Sequence, residues 1–229
     1  MYIAGWQKTS LIDYPGKIAT IFFAAGCNFR CGFCHNPELV DPKKFPSKIP
    51  IKEILDFLKK RKGQIEGVVL TGGEPLLDSD LVNFLKKIKK LGYAVKLDTN
   101  GSLPEKLEAL IDQKLIDYVA MDVKAPFEKY SKIAGVPVDI DKIKQSIQII
   151  MLSPIDYEFR TTVGPEFLTK KDILKIAQQI KGAKKYVLQI FKATKTLNPE
   201  FLKQKTYSEE ELVPLIPKLK KWVKKVEIR

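Results

Sequence analysis

The sequence has few of the residues that form disulfides and metal sites. Its 229 residues include three cysteines and one histidine. The cysteine count is odd, and the spacing of these residues is too tight for a disulfide framework. Nothing at the N-terminus resembles a signal peptide, so a reducing, cytoplasmic location is expected.

Long apolar runs are also absent. No segment approaches the ~18 to 20 apolar residues that a membrane span needs. We find no internal repeat, no low-complexity tract and no composition shift that would mark a second domain. The length suits a single α/β domain over residues 1–229.

Acidic residues are scarce relative to basic ones, 27 against 40, which gives a net charge of +13. The basic runs are nearly pure lysine and lie mostly at the ends of apparent helices, which is typical of solvated helix faces. The same surface suits an acidic protein such as an electron carrier. The charge also keeps a zinc-dependent nucleic-acid binder as an alternative, although aromatic residues are not interleaved with the lysines.

Six apolar segments read as strands, and most are followed by a helical pattern. They cover residues 18–25, 67–71, 93–97, 117–121, 157–163 and 186–191. This alternation predicts parallel strands with right-handed crossovers. Polar or glycine-rich clusters follow the strands, as at one mouth of a curved sheet. Six units are too few for a closed eight-unit barrel, so the prediction is an α/β fold, a partial, open-sided (β/α)6 barrel.

The ends of the chain have weaker patterns. Residues 1–17 are interpreted as an apolar pair followed by a turn, without a strand. Ser208 and Glu211 form a capping box for a last helix that Pro214 and Pro217 must bend or restart. Residues 226–228 are predicted to form a small terminal strand.

All three cysteines and the only histidine lie within residues 27–35, directly after the first predicted strand. Four sulfur ligands would close a zinc or an iron-sulfur site, and three leave one metal position without a cysteine. One alternative is a zinc site completed by His35, although adjacent residues usually cannot both turn toward one ion. The other is a [4Fe-4S] cluster whose fourth iron is open to a small molecule.

The spacing Cys27-x3-Cys31-x2-Cys34, with Phe33 before the third cysteine, resembles the radical S-adenosylmethionine (SAM) superfamily. The resemblance implies a partial (β/α)6 barrel and a [4Fe-4S] cluster bound by these cysteines. It also implies reductive cleavage of SAM to a 5'-deoxyadenosyl radical that abstracts a hydrogen atom. Phe33 and His35 are then expected beside the cofactor.

Two further loops resemble cofactor-binding segments of the superfamily. Gly72-Gly73-Glu74-Pro75 resembles its GGEP segment, in which glycine backbone and the acid receive the methionyl ammonium. The other interpretation of this segment is a tight strand-to-helix connection. Asp98-Thr99-Asn100-Gly101 ends the third strand and is either a cofactor contact or an Asx turn capped by Asn100.

The last three predicted strands contribute further candidates. Asp122-x-Lys124 ends the fourth strand, where Lys124 would pair with the methionine carboxylate. Arg160 lies inside the fifth strand and needs an anionic partner, either the cofactor or substrate or an acid of the barrel wall such as Glu158. Gln189 is an expected adenine-side contact.

The closest resemblance is to activating enzymes of glycyl-radical enzymes, through Cys34-His35-Asn36 and residues 10–17. The proteins that activate anaerobic ribonucleoside-triphosphate reductase are most similar. This implies a glycyl-radical enzyme as protein substrate and an acidic flavodoxin or ferredoxin as electron donor. It also implies a possible monovalent cation held by Asp98, Thr99 and Asp122.

Two departures limit the resemblance. No cysteine remains for an auxiliary cluster, and no histidine follows His35, so that Lys192 or Gln189 stands where a late-strand histidine is found in pyruvate formate-lyase activases. A radical SAM enzyme acting on a small molecule, similar to 7-carboxy-7-deazaguanine synthase, is the alternative enzyme hypothesis.

Overall fold

The computed structural model describes residues 1–229 and contains one eight-stranded sheet with sequential strand order. The strands are β1 (Ile3–Ser10), β2 (Ala19–Ala24), β3 (Gly67–Gly72), β4 (Ala94–Thr99), β5 (Tyr118–Asp122), β6 (Asp156–Val163), β7 (Lys185–Ile190) and β8 (Lys225–Ile228). Strands β2 to β8 are parallel to their neighbours, whereas β1 pairs antiparallel with β2. The sheet is not closed.

The helices lie between the parallel strands. They are α1 (Ile51–Lys60), α2 (Leu81–Lys90), α3 (Pro104–Asp112), α4 (Tyr130–Ala134), α5 (Ile140–Leu152), α6 (Lys170–Gln179), α7 (Glu209–Leu212) and α8 (Ile216–Leu219). None of them combines the length and apolarity that crossing a membrane requires.

The predicted open α/β barrel is confirmed, with β2 to β7 as its six predicted strands and β8 as the predicted terminal one. The prediction for residues 1–17 is wrong at residues 3–10, which form β1. The Trp6 indole of β1 donates to Thr20 Oγ1 at 2.8 Å and packs edge-on against Phe57 at 4.7 Å. Pairing with β2 and these tertiary contacts therefore fix a strand whose second half, from Gln7 to Ser10, is polar.

Apolar side chains form a small cluster in the interior of the sheet. This buried cluster contains Tyr14, Ile21, Val69, Tyr118 and Ala120 together with Ala19. Tyr14 packs so closely on β3 that a Cβ built on Gly67 would lie 2.8 Å from its ring. Toward the C-terminal ends of β3 and β5, Thr71 and Asp122 follow on the same face as Val69 and Ala120.

Capping explains where the later helices begin. Ser208 and Glu211 form the predicted capping box at the start of α7. Pro214 and Pro217 then divide the last helical region into α7, a 3-10 turn at Val213–Leu215, and α8. Proline lacks the N–H that a continuous helix needs, which accounts for this break.

Candidate active site

One cavity of about 530 Å³ lies at the C-terminal ends of the parallel strands. All of the residues predicted to bind a metal or cofactor line it, except Glu74. Its wall contains Cys27, Cys31, Phe33, Cys34, His35, Gly72, Gly73, Asp98, Asn100, Asp122, Lys124, Arg160 and Gln189. The fold therefore brings together side chains that are up to about 160 positions apart in sequence.

Backbone contacts hold the cysteine loop in shape. The Arg30 amide donates to Ala134 O at 2.7 Å, and the Cys34 amide donates to Cys31 O at 3.0 Å. The Arg30 guanidinium donates to Cys27 O at 2.7 Å and Phe29 O at 2.8 Å. These contacts leave the three cysteine side chains on the cavity wall.

The cysteine thiols are free and sit in a poorly solvated environment. Burial raises the pKa of Cys27 to about 12 and that of Cys31 to about 11. Burial also raises the pKa of Cys34. Thiols in this environment become thiolates when metal ions supply positive charge beside them.

The donor set fits a cluster with three protein ligands better than a zinc ion. The His35 ring stacks on Phe191 at 5.7 Å, and its Nδ1 lies 3.0 Å from Lys195 O. No three His, Cys, Asp or Glu side chains converge to hold one ion. An iron-sulfur cluster does not need that convergence, because its cysteines bind different irons.

Aromatic rings pack against the cysteine loop at Gly32 and Phe33. Phe33 stacks on Phe167 with ring centroids 5.0 Å apart. Phe201 fits against Gly32, where a Cβ would lie 2.4 Å from the Phe201 ring. The Asn198 amide donates to Gly32 O at 3.0 Å. Phe191 is fully buried against Phe167 and Phe201, as expected for core packing.

The glycine turn after β3 packs directly against the start of the cysteine loop. Gly72 has φ +115°, a left-handed conformation that favours glycine. The Gly73 amide donates to Ala24 O at 2.9 Å, and the Glu74 amide donates to Gly26 O at 2.7 Å. The turn is therefore the tight strand connection of the second interpretation, and its two glycines also form part of the cavity wall.

Glu74 lies behind the cavity wall rather than on it. The residue is 1% exposed, and its Oε1 accepts from Thr99 Oγ1 at 3.0 Å and Leu76 N at 3.1 Å. Its Oε2 accepts from Asn100 N at 2.6 Å. Burial outweighs these hydrogen bonds and raises the Glu74 pKa to about 7. This placement corrects the expectation that the Glu74 carboxylate receives the methionyl ammonium, because it braces the loops after β3 and β4.

Asn100 forms the predicted Asx turn and reaches the cysteine loop. Its Oδ1 accepts from Ser102 N at 2.9 Å, and its Nδ2 donates to Asn28 Oδ1 at 2.9 Å. Asn28 Nδ2 in turn donates to Ser102 Oγ at 2.8 Å. The ends of β4 and β2 are thus linked by side chains as well as by the sheet.

Five charged residues form an alternating network on the interior of β4, β5 and β6, called the charge network below. It comprises Lys96, Asp98, Arg160, Asp122 and Lys124. Arg160 donates from Nη1 to Asp98 Oδ2 at 2.9 Å and from Nε to Asp122 Oδ1 at 2.8 Å. Lys96 binds Asp98, and Lys124 binds Asp122 Oδ2 at 3.0 Å.

The suggested partner of Arg160 is corrected by these contacts. Glu158 instead binds Lys185 at 3.1 Å and both terminal nitrogens of Arg229 at 3.2 Å. Arg160 and Asp122 lie directly opposite each other in the β5–β6 register. Arg160 therefore pairs with the acid opposite it on β5, and not with Glu158, which lies two residues away on its own strand.

Several cavity residues were missed from the sequence. Gln7, Asp13, Thr194 and Arg229 line the cavity without having been predicted. Lys96 was missed as a member of the charge network, although its position two residues before Asp98 on a strand gave a signal. Side chains at that spacing lie on the same face of a strand.

The Radical SAM superfamily model matches residues 21–180 of the chain. The protein therefore belongs to the radical SAM superfamily, whose members are enzymes that use a [4Fe-4S] cluster and SAM. This family assignment agrees with a cavity that has three cysteines on its wall.

Three curated relatives indicate which radical SAM enzymes this chain resembles in sequence. A putative glycyl-radical enzyme activating enzyme of Methanocaldococcus jannaschii is 36% identical over 99% of this chain and 95% of its own length. The pyruvate formate-lyase-activating enzyme of Clostridium pasteurianum is 33% identical over 52% of this chain and 50% of its own. A 7-carboxy-7-deazaguanine synthase of Thermoplasma acidophilum is 36% identical over 46% of this chain and 47% of its own.

Solved structures are similar in fold. The SAM-bound structure of Streptococcus suis SuiB matches with a TM-score of 0.69 at 16% identity and covers 91% of this chain. This chain spans 49% of that SuiB chain. The similarity supports the open barrel, and at this identity it concerns the fold alone.

Proposed function

We propose that the protein is a radical SAM activating enzyme that generates a glycyl radical on a partner protein. The observation that carries the proposal is that three cysteines lie on one cavity wall together with four members of the charge network, Asp98, Asp122, Lys124 and Arg160. His35 is instead engaged by Lys195 O. The full-length similarity to the glycyl-radical enzyme activating enzyme supports the activase over other radical SAM reactions.

Cys27, Cys31 and Cys34 would hold a [4Fe-4S] cluster. When bound, this cluster would supply the chemistry that cleaves SAM reductively. The Lys124 ammonium is held beside the cavity by Asp122 and would receive the methionine carboxylate as a point charge. Backbone at Gly72 and Gly73 would face the methionyl ammonium. Phe33, His35, Asn100 and Gln189 would line the rest of the cofactor site, and Glu74 would hold its loops in position.

The protein substrate would present a glycine-containing segment to the cavity, and an anaerobic ribonucleotide reductase is the partner that the sequence resemblance favours. The net charge of +13 suits an acidic flavodoxin or ferredoxin as electron donor. The three free cysteines suit the reducing cytoplasm.

A second candidate is a small-molecule reaction like that of 7-carboxy-7-deazaguanine synthase, which the Thermoplasma acidophilum relative favours. Its match covers less than half of either chain, whereas the activating-enzyme match covers nearly all of both. The difference in coverage ranks the activase first.

Electron paramagnetic resonance distinguishes the two candidates. The protein, reconstituted with iron and sulfide under anaerobic conditions and reduced, is mixed with SAM and the glycyl-radical reductase of the same organism. The activase predicts a glycyl radical signal on the reductase, absent with Cys31→Ala. Formation of a 7-carboxy-7-deazaguanine product, with no radical on the reductase, would favour the second candidate.

A further inference from the structure

Asp98 and Asp122 already have cationic partners on every carboxylate oxygen. Asp98 receives Lys96 on Oδ1 and Arg160 Nη1 on Oδ2 at 2.9 Å. Asp122 receives Arg160 Nε on Oδ1 at 2.8 Å and Lys124 Nζ on Oδ2 at 3.0 Å. The charge network thus satisfies both acids from within the chain.

The strand register makes this arrangement possible. Asp122 lies directly opposite Arg160, whereas Asp98 lies opposite Ala120 on the intervening strand. Because the Ala120 side chain is a single methyl group, the Arg160 guanidinium can cross β5 and reach Asp98. Arg160 of β6 therefore binds an acid of the neighbouring strand β5 and an acid of β4, which is not a neighbour of β6.

A monovalent metal ion does not fit among these groups. Arg160, Lys96 and Lys124 occupy all four oxygens of the Asp98 and Asp122 carboxylates. Three cations against two anions leave the network with an excess of one positive charge. The third expected ligand, Thr99 Oγ1, donates to Glu74 and accepts from Gly101 N at 3.1 Å. An ion would have to displace a protein cation to gain oxygen ligands.

We propose that the Arg160 guanidinium takes the place of a monovalent metal ion in this site, so that SAM binding is independent of Na⁺ and K⁺. The proposal rests on the proposed function, because the network matters to catalysis only if SAM occupies the cavity. Arg160 is then a positioning residue: it fixes Asp122, and Asp122 holds the Lys124 ammonium toward the cavity.

The first test needs neither the cluster nor SAM. Thermal unfolding of the wild-type protein is measured in KCl, NaCl and choline chloride at equal ionic strength, together with the ²³Na NMR line width. We expect equal melting temperatures and no ²³Na line broadening that added K⁺ reverses. Stabilisation by K⁺ or Na⁺ over choline overturns the proposal. A protein that passes this test but never cleaves SAM refutes the proposed function and leaves the cation result intact.

The second test uses a variant whose stability and SAM affinity should respond to K⁺. Arg160→Gln removes the bridging charge, and we expect a lower melting temperature that K⁺ partly restores relative to choline. In the reconstituted variant, K⁺ should raise SAM affinity roughly tenfold, whereas wild-type affinity should not respond. Arg61→Gln is the matched control, because Arg61 is exposed and its guanidinium bonds Gln64.

Arg160→Lys covers the case in which Arg160→Gln does not fold. A lysine keeps the charge but reaches only one of the two acids at a time, so an intermediate K⁺ response is expected. If the folded Arg160 variants show no K⁺ response in stability or SAM affinity, the proposal is overturned.

Discussion

The backbone of Gly73 lies against the carbonyl group of Gly26, and a Cβ built on Gly73 would stand 1.9 Å from the Gly26 oxygen. Gly26 directly precedes Cys27, the first cysteine of the loop. The glycine turn after β3 therefore sets the position at which the cysteine loop leaves β2.

Gly73→Ala should displace the cysteine loop, because backbone atoms cannot yield as a flexible side chain can. We expect a loss of about 1 to 3 kcal/mol in the free energy of unfolding, typical of overpacking, and reduced iron incorporation. Urea unfolding and iron analysis measure the two effects. Gly63→Ala is the control, since Gly63 has φ +81° but no atom near its Cβ position. Equal iron content in Gly73→Ala and Gly63→Ala would contradict this role.

Glu74 should make stability depend on pH. Its pKa rises from 4.5 in the unfolded chain to about 7 in the fold, so the folded state binds the extra proton between these values. Stability from this group is therefore present below pH 4.5 and is lost as pH rises toward 7, by about 3 kcal/mol in total. Urea unfolding of wild type and Glu74→Gln across this range isolates the effect.

The direction of this pH dependence tests whether the Glu74 pKa is raised. The wild-type free energy of unfolding should fall relative to that of Glu74→Gln as pH rises from 4.5 to 7. The absence of a relative fall over this range would mean that the hydrogen bonds from Asn100, Leu76 and Thr99 offset burial and keep the Glu74 pKa at or below 4.5.

Lys124→Ala should separate cluster binding from SAM binding. Lys124 contacts no cysteine through a hydrogen bond, so the variant should take up iron and sulfide as wild type does. Loss of its charge should weaken SAM binding roughly tenfold or more, in the range of hydrogen bonds to charged groups. Equilibrium binding of SAM to the reconstituted protein measures this. Lys132→Ala, an exposed lysine outside the cavity, is the control, and wild-type affinity in Lys124→Ala would exclude the carboxylate contact.

Glu158→Gln should destabilise the barrel. The Glu158 side chain is fully buried and binds Lys185 and Arg229. Removing its charge leaves Lys185 and Arg229 with only the partly exposed Glu227 as a carboxylate partner, which should cost about 3 kcal/mol. Glu128→Gln, which breaks an exposed pair with Lys175, should change stability little. Similar unfolding midpoints for the two variants would contradict the assignment.

The sequence predicted the strands that have apolar, β-branched runs, because such runs need no partner to be recognised. It did not predict β1, whose Gln7, Lys8 and Thr9 are exposed and whose pairing with β2 is antiparallel. Burial of Trp6 against Thr20 and Phe57 is a tertiary effect that local periodicity does not carry.

The candidate site was likewise predicted from the sequence only in part. Motifs placed the cysteines, the glycine turn and Lys124 at strand ends that converge on one cavity. They did not reveal that Glu74 faces away from it, or that Arg160 crosses Ala120 to reach Asp98. Both depend on the register between strands, which is set by the assembled sheet.

The most direct test of the central claim is the yield of 5'-deoxyadenosine from SAM after anaerobic reconstitution with iron and sulfide and reduction. We expect a brown wild-type protein that forms this product, and a Cys31→Ala variant that loses both the colour and the product. A colourless wild-type protein without product, or undiminished SAM cleavage by Cys31→Ala, would contradict it.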